Sequence, residues 1–425
     1  MDHRLTNGNR RILLSSLSTT LGGVELRMGL EARLLKRAGY SAAVGINLYP
    51  ALQNWVAGLE ADDIPAFDYD PPPFMEQWWW WRKTKLAKAG FLEKGQDLMW
   101  RVAKRANKYV ARRQSEKFFK RHRFDLNHIF LPWTDFGGTR LWLSHYNRVP
   151  VVLSVRNAFR PATWAGWGAA HYREGFQAVR GIYAISQSAL DHFMGVFSEY
   201  VLPGTVTEVI HNSVDTRRFK PDEATRAAAR RRLALPQDAL VIGAAARLEK
   251  QKRPDRLIAV FKELKIHFPD LYLVLVGSGS LEPALKEQTR RLGIRDSVVF
   301  TGWQPEVERV LPALDMAVHL SSNEGFGTST VEAMACGLPV VATDVPGTRD
   351  ILAGGEGGKL VPVDDLKAAV KACQAILAND TLRRQLGQQG RKESVIKYDE
   401  RAWGEKILGF YQRVFDGLEN KGLRN

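Results

Sequence analysis

The sequence predicts an α/β protein of two doubly wound, Rossmann-like domains, and three observations predict it. Short runs of Val, Ile and Leu alternate with longer amphipathic stretches. The runs fall into two series separated by a polar, Arg/Ala-rich helical stretch. The 425 residues are enough for two cores of ordinary size. Near-continuous apolar runs belong to parallel strands buried on both faces, so helices must cover each sheet on both sides.

The first series opens with "RILLSSL" (11–17), which leads through Gly22-Gly23 into "VELRMGLEARLLKRAGY", a stretch of helical apolar spacing with Gly39 as C-cap. Basic residues precede this first run, as in a secretory signal, but the apolar core is short and broken by serines, so it is a buried strand instead. "LNHIF" (126–130), "VPVVLSV" (149–155), "GIYAIS" (181–186) and "TEVIHN" (207–212) follow as strands. The second series is "ALVIGAAAR" (239–247), "LYLVLVGSG" (271–279), "SVVFTG" (297–302), "DMAVHLSS" (315–322) and "PVVATD" (339–344). The expected domains are 1–212, with an insertion at about 70–123, and 213–395, with 396–425 as helices crossing back to the first.

Hydrophobic content of 45% and charged content of 25% are those of a globular protein. The two cysteines, Cys336 and Cys373, exclude a disulfide framework and point to a reducing cytosol. No run approaches the ~18 apolar residues of a membrane span. The formal charge of +15 is unevenly spread: Arg82 to Arg123 holds fifteen Lys and Arg against three acids and so carries +12 of it.

Ligands of doubly wound sheets bind beyond the carboxyl ends of the strands, so two such domains should present their functional loops across a cleft. The richest loop is "SSNEGFGTSTVEAMACGLPVVATDVPGTRD" (321–350): a strand end, a glycine loop and a helix start. Free backbone N–H groups at such a junction suit an anion such as a phosphate. Glu324 before the glycines and Glu332 eight residues later can accept hydrogen bonds from polyol hydroxyls. The bland alternative is a tight turn with Glu332 as a surface residue of the helix.

"EGFGTSTVE" resembles the Glu-x7-Glu signature of the retaining glycosyltransferases of family 4, which have the GT-B fold. "AMACGLPVVATDVPGTRDIL", "GGVELRMGLEARLLKRAGY", "VIHNSVDTRRFKP", "AARLEKQKRPDRLIAVF" and "LVGSGSLEPALKE" agree with that family in order. The resemblance implies a nucleotide diphosphate sugar as donor, UDP favoured, no cofactor and no metal. By the same resemblance Arg247 and Lys252 neutralise the diphosphate and Glu324 holds donor-sugar hydroxyls. Phe326 and Gly327 bring backbone amides to the sugar, with Thr328 beside them, and Glu332 takes the ribose. Gly277, Gly22 and Gly23 complete the donor set. Where the family commonly has a histidine, this chain has Arg156-Asn157 on the acceptor side, and an arginine there favours an anionic group. Ser213 and Arg253 stand where glycine is frequent in the family. The implied acceptor is a glycan or a polyprenyl-linked or other lipid-linked molecule of envelope polysaccharide or lipopolysaccharide assembly. The alternatives are a small soluble acceptor and a non-catalytic nucleotide-sugar-binding protein.

Other chemical signals are weaker. Asp68-Tyr69-Asp70 spells a metal-binding triplet of a different transferase fold but precedes "PPP" and is expected in an exposed loop. Gly277-x-Gly279 lacks the third glycine of a dinucleotide fingerprint, and no Cys/His spacing suggests zinc. His128, His171 and His211 are isolated, as packing histidines are.

The basic insertion contains "EQWWWWRKTK" (76–85), with Trp78, Trp79, Trp80 and Trp81 running into Arg82, Lys83 and Lys85. Further on, Met99, Val102, Ala106 and Tyr109 share a helical face, with basic residues mostly elsewhere. Indoles favour the headgroup region and cations favour lipid phosphates, so the insertion reads as a dock for the anionic inner-membrane surface. That makes the protein cytoplasmic and peripheral on the cytoplasmic face. The competing readings are tryptophans packed within a helical insertion and single-stranded nucleic acid, although no nucleic-acid module is spelled here.

Overall fold

The structure, a computed structural model, describes residues 10–17, 21–72, 93–131, 138–157 and 169–420, and side chains within them except at 93–104 and 169. Trp78 to Trp81, Arg82, Lys83 and Lys85 lie outside the described residues. The chain divides into two compact units, one of Met1–Ile210 with Lys406–Asn425, the other of His211–Glu405.

The first unit holds β1 (Arg11–Ser15), β2 (Ser41–Ile46), β3 (Ala66–Asp68), β4 (Leu126–Leu131), β5 (Val151–Val155), β6 (Val179–Ala184) and β7 (Val206–Val209). They pair parallel in the order β3-β2-β1-β4-β5-β6-β7. The second unit holds β8 (Val241–Ala245), β9 (Tyr272–Val276), β10 (Val298–Phe300), β11 (Met316–His319), β12 (Val340–Thr343) and β13 (Gly358–Val361). Their order is β10-β9-β8-β11-β12-β13, again all parallel. The strand order reverses between β1 and β4 in one sheet and between β8 and β11 in the other, and ligands of such sheets bind at these reversals.

The apolar runs form strands because helices bury both faces: every residue of β4, β5, β11 and β12 is buried. Cys336 and Cys373 are free and buried, and burial pushes the Cys373 thiol up to about 12. Three strands, β2, β3 and β13, have no counterpart among the apolar runs. β2 is made of small residues, and an added Cβ at Gly45 would lie 3.0 Å from Leu13 Cδ1, so the pairing with β1 requires smallness. β3 (AFD) and β13 (GKLV) are edge strands without a continuous apolar run, each containing a charged residue. Asp68 is the last residue of β3 and Tyr69 is buried, so only the two carboxylates of that triplet are exposed, not the whole loop.

Within the first unit, a glycine lets the chain's last helix (Glu400–Glu419) close on the sheet: a Cβ at Gly181 of β6 would lie 2.7 Å from Phe410 Cζ and Val414 Cγ2. Beside this contact lies a fully buried carboxylate. Glu31, on the helix Gly23–Arg37, accepts hydrogen bonds from Tyr183 (2.7 Å, Oε2) and Tyr411 (2.9 Å, Oε1), and its Oε1 lies 3.1 Å from His128 Nδ1. Burial pushes this carboxyl up, but His128 and the two hydroxyls outweigh burial and hold it below its ordinary value.

The insertion supplies a 30-residue helix, Glu93–His122. Ala111, Ser115 and Phe119 face the unit, whereas Ala106 is exposed and Tyr109 is 61% exposed. The apolar face singled out in the sequence therefore points, over its described part, away from the core.

Candidate active site

The second unit gathers its chemistry where the sheet order reverses. After β8 the chain runs against the loop that follows β9: Ala246 N–H donates to Val276 O, and Leu248 N–H to Ser278 O, both at 2.9 Å. A Cβ at Gly277 (φ +130°) would sit 2.2 Å from Ala246 O, and one at Gly279 2.4 Å from Leu248 O. Gly277 is thus demanded by backbone packing, which fixes the segment bearing Arg247. Arg247 itself is exposed and makes no side-chain hydrogen bond or ion pair with a described residue.

A 3-10 turn, Lys250–Lys252, ends at Arg253 in the left-handed region (φ 49°, ψ 47°), and Pro254 then opens the helix Pro254–His267. This reversal aims Lys252 at the loop after β11, where its Nζ lies 2.5 Å from Glu324 Oε1. The two side chains are 17% and 10% exposed. Ser321 Oγ donates to the same Oε1 at 2.7 Å, so Oε2 receives no hydrogen bond from a described residue. Gln251 stitches the two loops together: its amide donates to Asn323 O at 2.8 Å, and its carbonyl accepts from Ser322 N–H at 2.9 Å.

The glycine loop is held from behind. The Phe326 ring is buried between His211 and Tyr398, with centroids 5.5 and 5.6 Å away. Gly347 N–H donates to Glu324 O at 3.1 Å, and a Cβ on Gly347 would lie 2.6 Å from Phe326 N. Gly327 (φ 94°) is the left-handed N-cap of the helix Thr328–Ala335, whose Thr328 Oγ1 accepts from Asn212 Nδ2 at 3.4 Å. Glu332 lies half-buried in the second turn. His319, at the end of β11, meets Thr330 Oγ1 through Nδ1 at 3.0 Å. Burial pushes its imidazole down to about 4; Glu324 opposes this and Lys252 adds to it, so the ring is neutral at pH 7.

Arg247, Lys252, His319, Ser321, Glu324 and Ser329 line one cavity. Cations at its rim and free N–H groups at the helix start suit an anionic leaving group, and a carboxylate with a spare oxygen suits hydroxyls. Of the residues gathered here, the sequence singles out Arg247, Lys252 and Glu324 but not Gln251, Ser321 or His319. The available signal for His319 was a lone polar residue in the apolar run "MAVHL".

The residues expected in the first unit stand at carboxyl ends of its strands. Gly22 caps the helix after β1, its N–H donating to Glu25 Oε2 at 2.8 Å, and a Cβ on Gly23 would meet no atom of a described residue within 4 Å. Arg156, directly after β5, is buried with its guanidinium 5.6 Å from the Phe130 ring centre, and Asn157 follows half-buried.

Two family descriptions match the chain: "Glycosyltransferase Family 4" over residues 22–218 and "Glycosyl transferases group 1" over residues 225–393. A putative glycosyltransferase, EpsD of Bacillus subtilis (strain 168), is 30% identical over 216 residues, 50% of this chain and 56% of that protein. The lipopolysaccharide core biosynthesis mannosyltransferase LpsB of Rhizobium meliloti (strain 1021) is 34% identical over 176 residues, 40% of this chain and 50% of that protein. The chain thus spans little more than half the length of the curated relatives it matches. The crystal structure of Anabaena Alr3699/HepE in complex with UDP superposes with a TM-score of 0.73 at 19% identity, covering 95% of this chain and 99% of that one.

Proposed function

The chain belongs to the GT4-like glycosyltransferases of the GT-B fold, and from that premise we propose that it moves a sugar from a nucleotide diphosphate donor, a UDP-sugar before others, to a hydroxyl of a glycan or lipid-linked acceptor with retention of configuration. One observation carries the reading: Lys252 and Glu324 are in contact at the reversal point of the second sheet, with Arg247 on the same cavity and an open helix start beside them. Arg247, Lys252 and the helix N-terminus stabilise the diphosphate as it leaves, without a metal ion. Glu324 Oε2 takes a hydroxyl of the transferred sugar, with the backbone at Phe326, Gly327 and Thr328 beside it, and Glu332 takes the ribose. The bond between the sugar's anomeric carbon and the β-phosphate oxygen breaks, and the acceptor oxygen bonds to that carbon on the same face. The acceptor's proton passes to the departing phosphate. HepE, whose crystal structure holds UDP, supports the choice of base.

LpsB acts in lipopolysaccharide core biosynthesis, and this supports an envelope acceptor here. Arg156 and Asn157 belong to the acceptor side. No described helix is long and apolar enough to cross a membrane. The long helix instead exposes Tyr109 and Val110 together with Arg105, Arg113, Lys117, Lys120 and Arg121, a surface suited to anionic lipid on the cytoplasmic face. Two experiments test these statements. A panel of nucleotide sugars, assayed for nucleoside diphosphate release, should single out one donor, with Lys252→Ala inactive on it; equal turnover by that variant sinks the transferase reading. Flotation with phosphatidylglycerol vesicles should carry the protein and be lost on deleting residues 76–92; unchanged flotation removes the tryptophan segment from the lipid surface.

A further inference from the structure

β11 reads Met316, Ala317, Val318, His319, and the histidine alone among these can hydrogen bond through its side chain. Its Nδ1 is spent on Thr330 Oγ1, and its Nε2, although buried, meets no hydrogen-bonding partner among the described residues. A buried polar atom without a partner is costly, and in native folds it calls for an explanation. An orphan nitrogen alone does not mark a site, since His128 Nε2 in the first unit is another. What distinguishes His319 is place: it lines the same cavity as Lys252, Ser321 and Glu324, whose Oε2 is also unspent.

We propose that His319 is a further donor-site residue, presenting its neutral Nε2 to a hydroxyl of the transferred sugar next to the one held by Glu324. The inference rests on the transferase reading and deepens it. Lys252 is the counter-ion of Glu324 in this structure. When the donor's diphosphate draws the ammonium away, the cavity opens toward the sugar, and Nε2 and Oε2 become a pair of adjacent hydrogen-bonding groups. A neutral imidazole suits this place: it accepts or donates without adding charge beside Lys252. Thr330, on the first turn of the helix Thr328–Ala335, fixes the ring's orientation through Nδ1, as partners of functional histidines do.

The test separates the two nitrogens. An asparagine amide can occupy the place of Nδ1 and a glutamine amide that of Nε2, so His319→Asn keeps the Thr330 contact and His319→Gln keeps the sugar contact. Dissociation constants are measured for UDP and UDP-glucose, and for GDP and GDP-mannose, reading the pair that the wild-type protein binds. The expected result is that His319→Asn weakens the nucleotide sugar about 10-fold and leaves the nucleoside diphosphate unchanged, while His319→Gln binds both as wild type. If Asn binds normally, if Gln is the damaged variant, or if sugar and diphosphate weaken alike, His319 is structural and the inference falls while the transferase reading stands. Binding of none of the four by the wild type removes both. A second measurement needs no variant: in histidine-15N-labelled protein one neutral Nε2 signal should move with the nucleotide sugar and not with the diphosphate, and no such signal overturns the inference.

Discussion

Glu31 of the first unit and Glu324 of the second are both buried, and the two are finished differently. Glu31 of the first unit has both carboxylate oxygens consumed: Tyr183 on Oε2, Tyr411 and His128 on Oε1. Glu324 of the second unit has both its partners, Lys252 and Ser321, on Oε1, which leaves Oε2 unspent among the described residues. A carboxylate saturated by protein groups is a fastener, because nothing remains for a ligand. One held by protein groups on a single oxygen keeps the other open to a ligand. Burial, charge and an aromatic or cationic neighbour are common to both, so none of these separates function from structure here. The unsatisfied oxygen does.

That contrast breaks most sharply by substitution. Glu31→Ala strips three groups of their shared acceptor and should lower unfolding free energy by ~3–5 kcal/mol, read by denaturant titration. Donor binding per folded molecule should be unchanged, and a loss below 1 kcal/mol would mean that the network is not a fastener. Glu324→Ala should do the reverse. Turnover falls by about a hundredfold to a thousandfold with little change in the denaturation midpoint, because the partly exposed Lys252 can turn to water and the cost of burying the Glu324 carboxylate goes with it. If instead the second variant unfolds and the first loses donor affinity, the roles are exchanged.

The two clusters also explain what the sequence could and could not disclose. Arg247, Lys252 and Glu324, which line one cavity, could be singled out because they sit in two contiguous stretches after strands, where strand, loop and helix chemistry is spelled locally. Both doubly wound sheets were legible from apolar runs, apart from the edge strands β3 and β13 and the small-residue strand β2. Glu31 was not, since Tyr183 and Tyr411 come from 152 and 380 positions away. Gln251 was invisible for a similar reason: its partners Ser322 and Asn323 belong to a loop more than seventy residues on. The helix Glu93–His122 was legible as a helix, but the face it buries was not, because an amphipathic pattern does not say which side meets the body.

Acid should resolve the two units in different windows. His319 is pushed down from 6.5 to about 4 by burial, so as pH falls between those values the unfolded chain takes up a proton that the folded chain refuses, and stability of the second unit is lost. Glu31 is held below its ordinary value, so its contribution is complete above the carboxylate range and is lost as pH falls through its lowered folded value. His319→Gln should flatten the first window and Glu31→Gln the second, seen in unfolding midpoints across pH. A single shared window unaffected by either variant would show that the two clusters do not govern acid response.

The smallest effect is expected at Arg253, where the site's outer support can be weighed against its backbone. Arg253 occupies the left-handed region beside Lys252, and its Nη1 lies 2.9 Å from Oδ1 of Asp364, another non-glycine with positive φ (65°). A side chain in that region costs about 1–2 kcal/mol, which glycine would recover. Its two ion pairs, with Asp364 and Asp255, are partly open to water and contribute about 0.2–1 kcal/mol each. Arg253→Gly should therefore leave stability within about 1 kcal/mol of wild type, or slightly above it, and reduce turnover only a few-fold, since Gln251 still holds the Lys252 turn to the Glu324 loop. A loss of turnover as large as that of Glu324→Ala would mean that the Arg253–Asp364 contact, and not the inner stitching by Gln251, sets the position of Lys252.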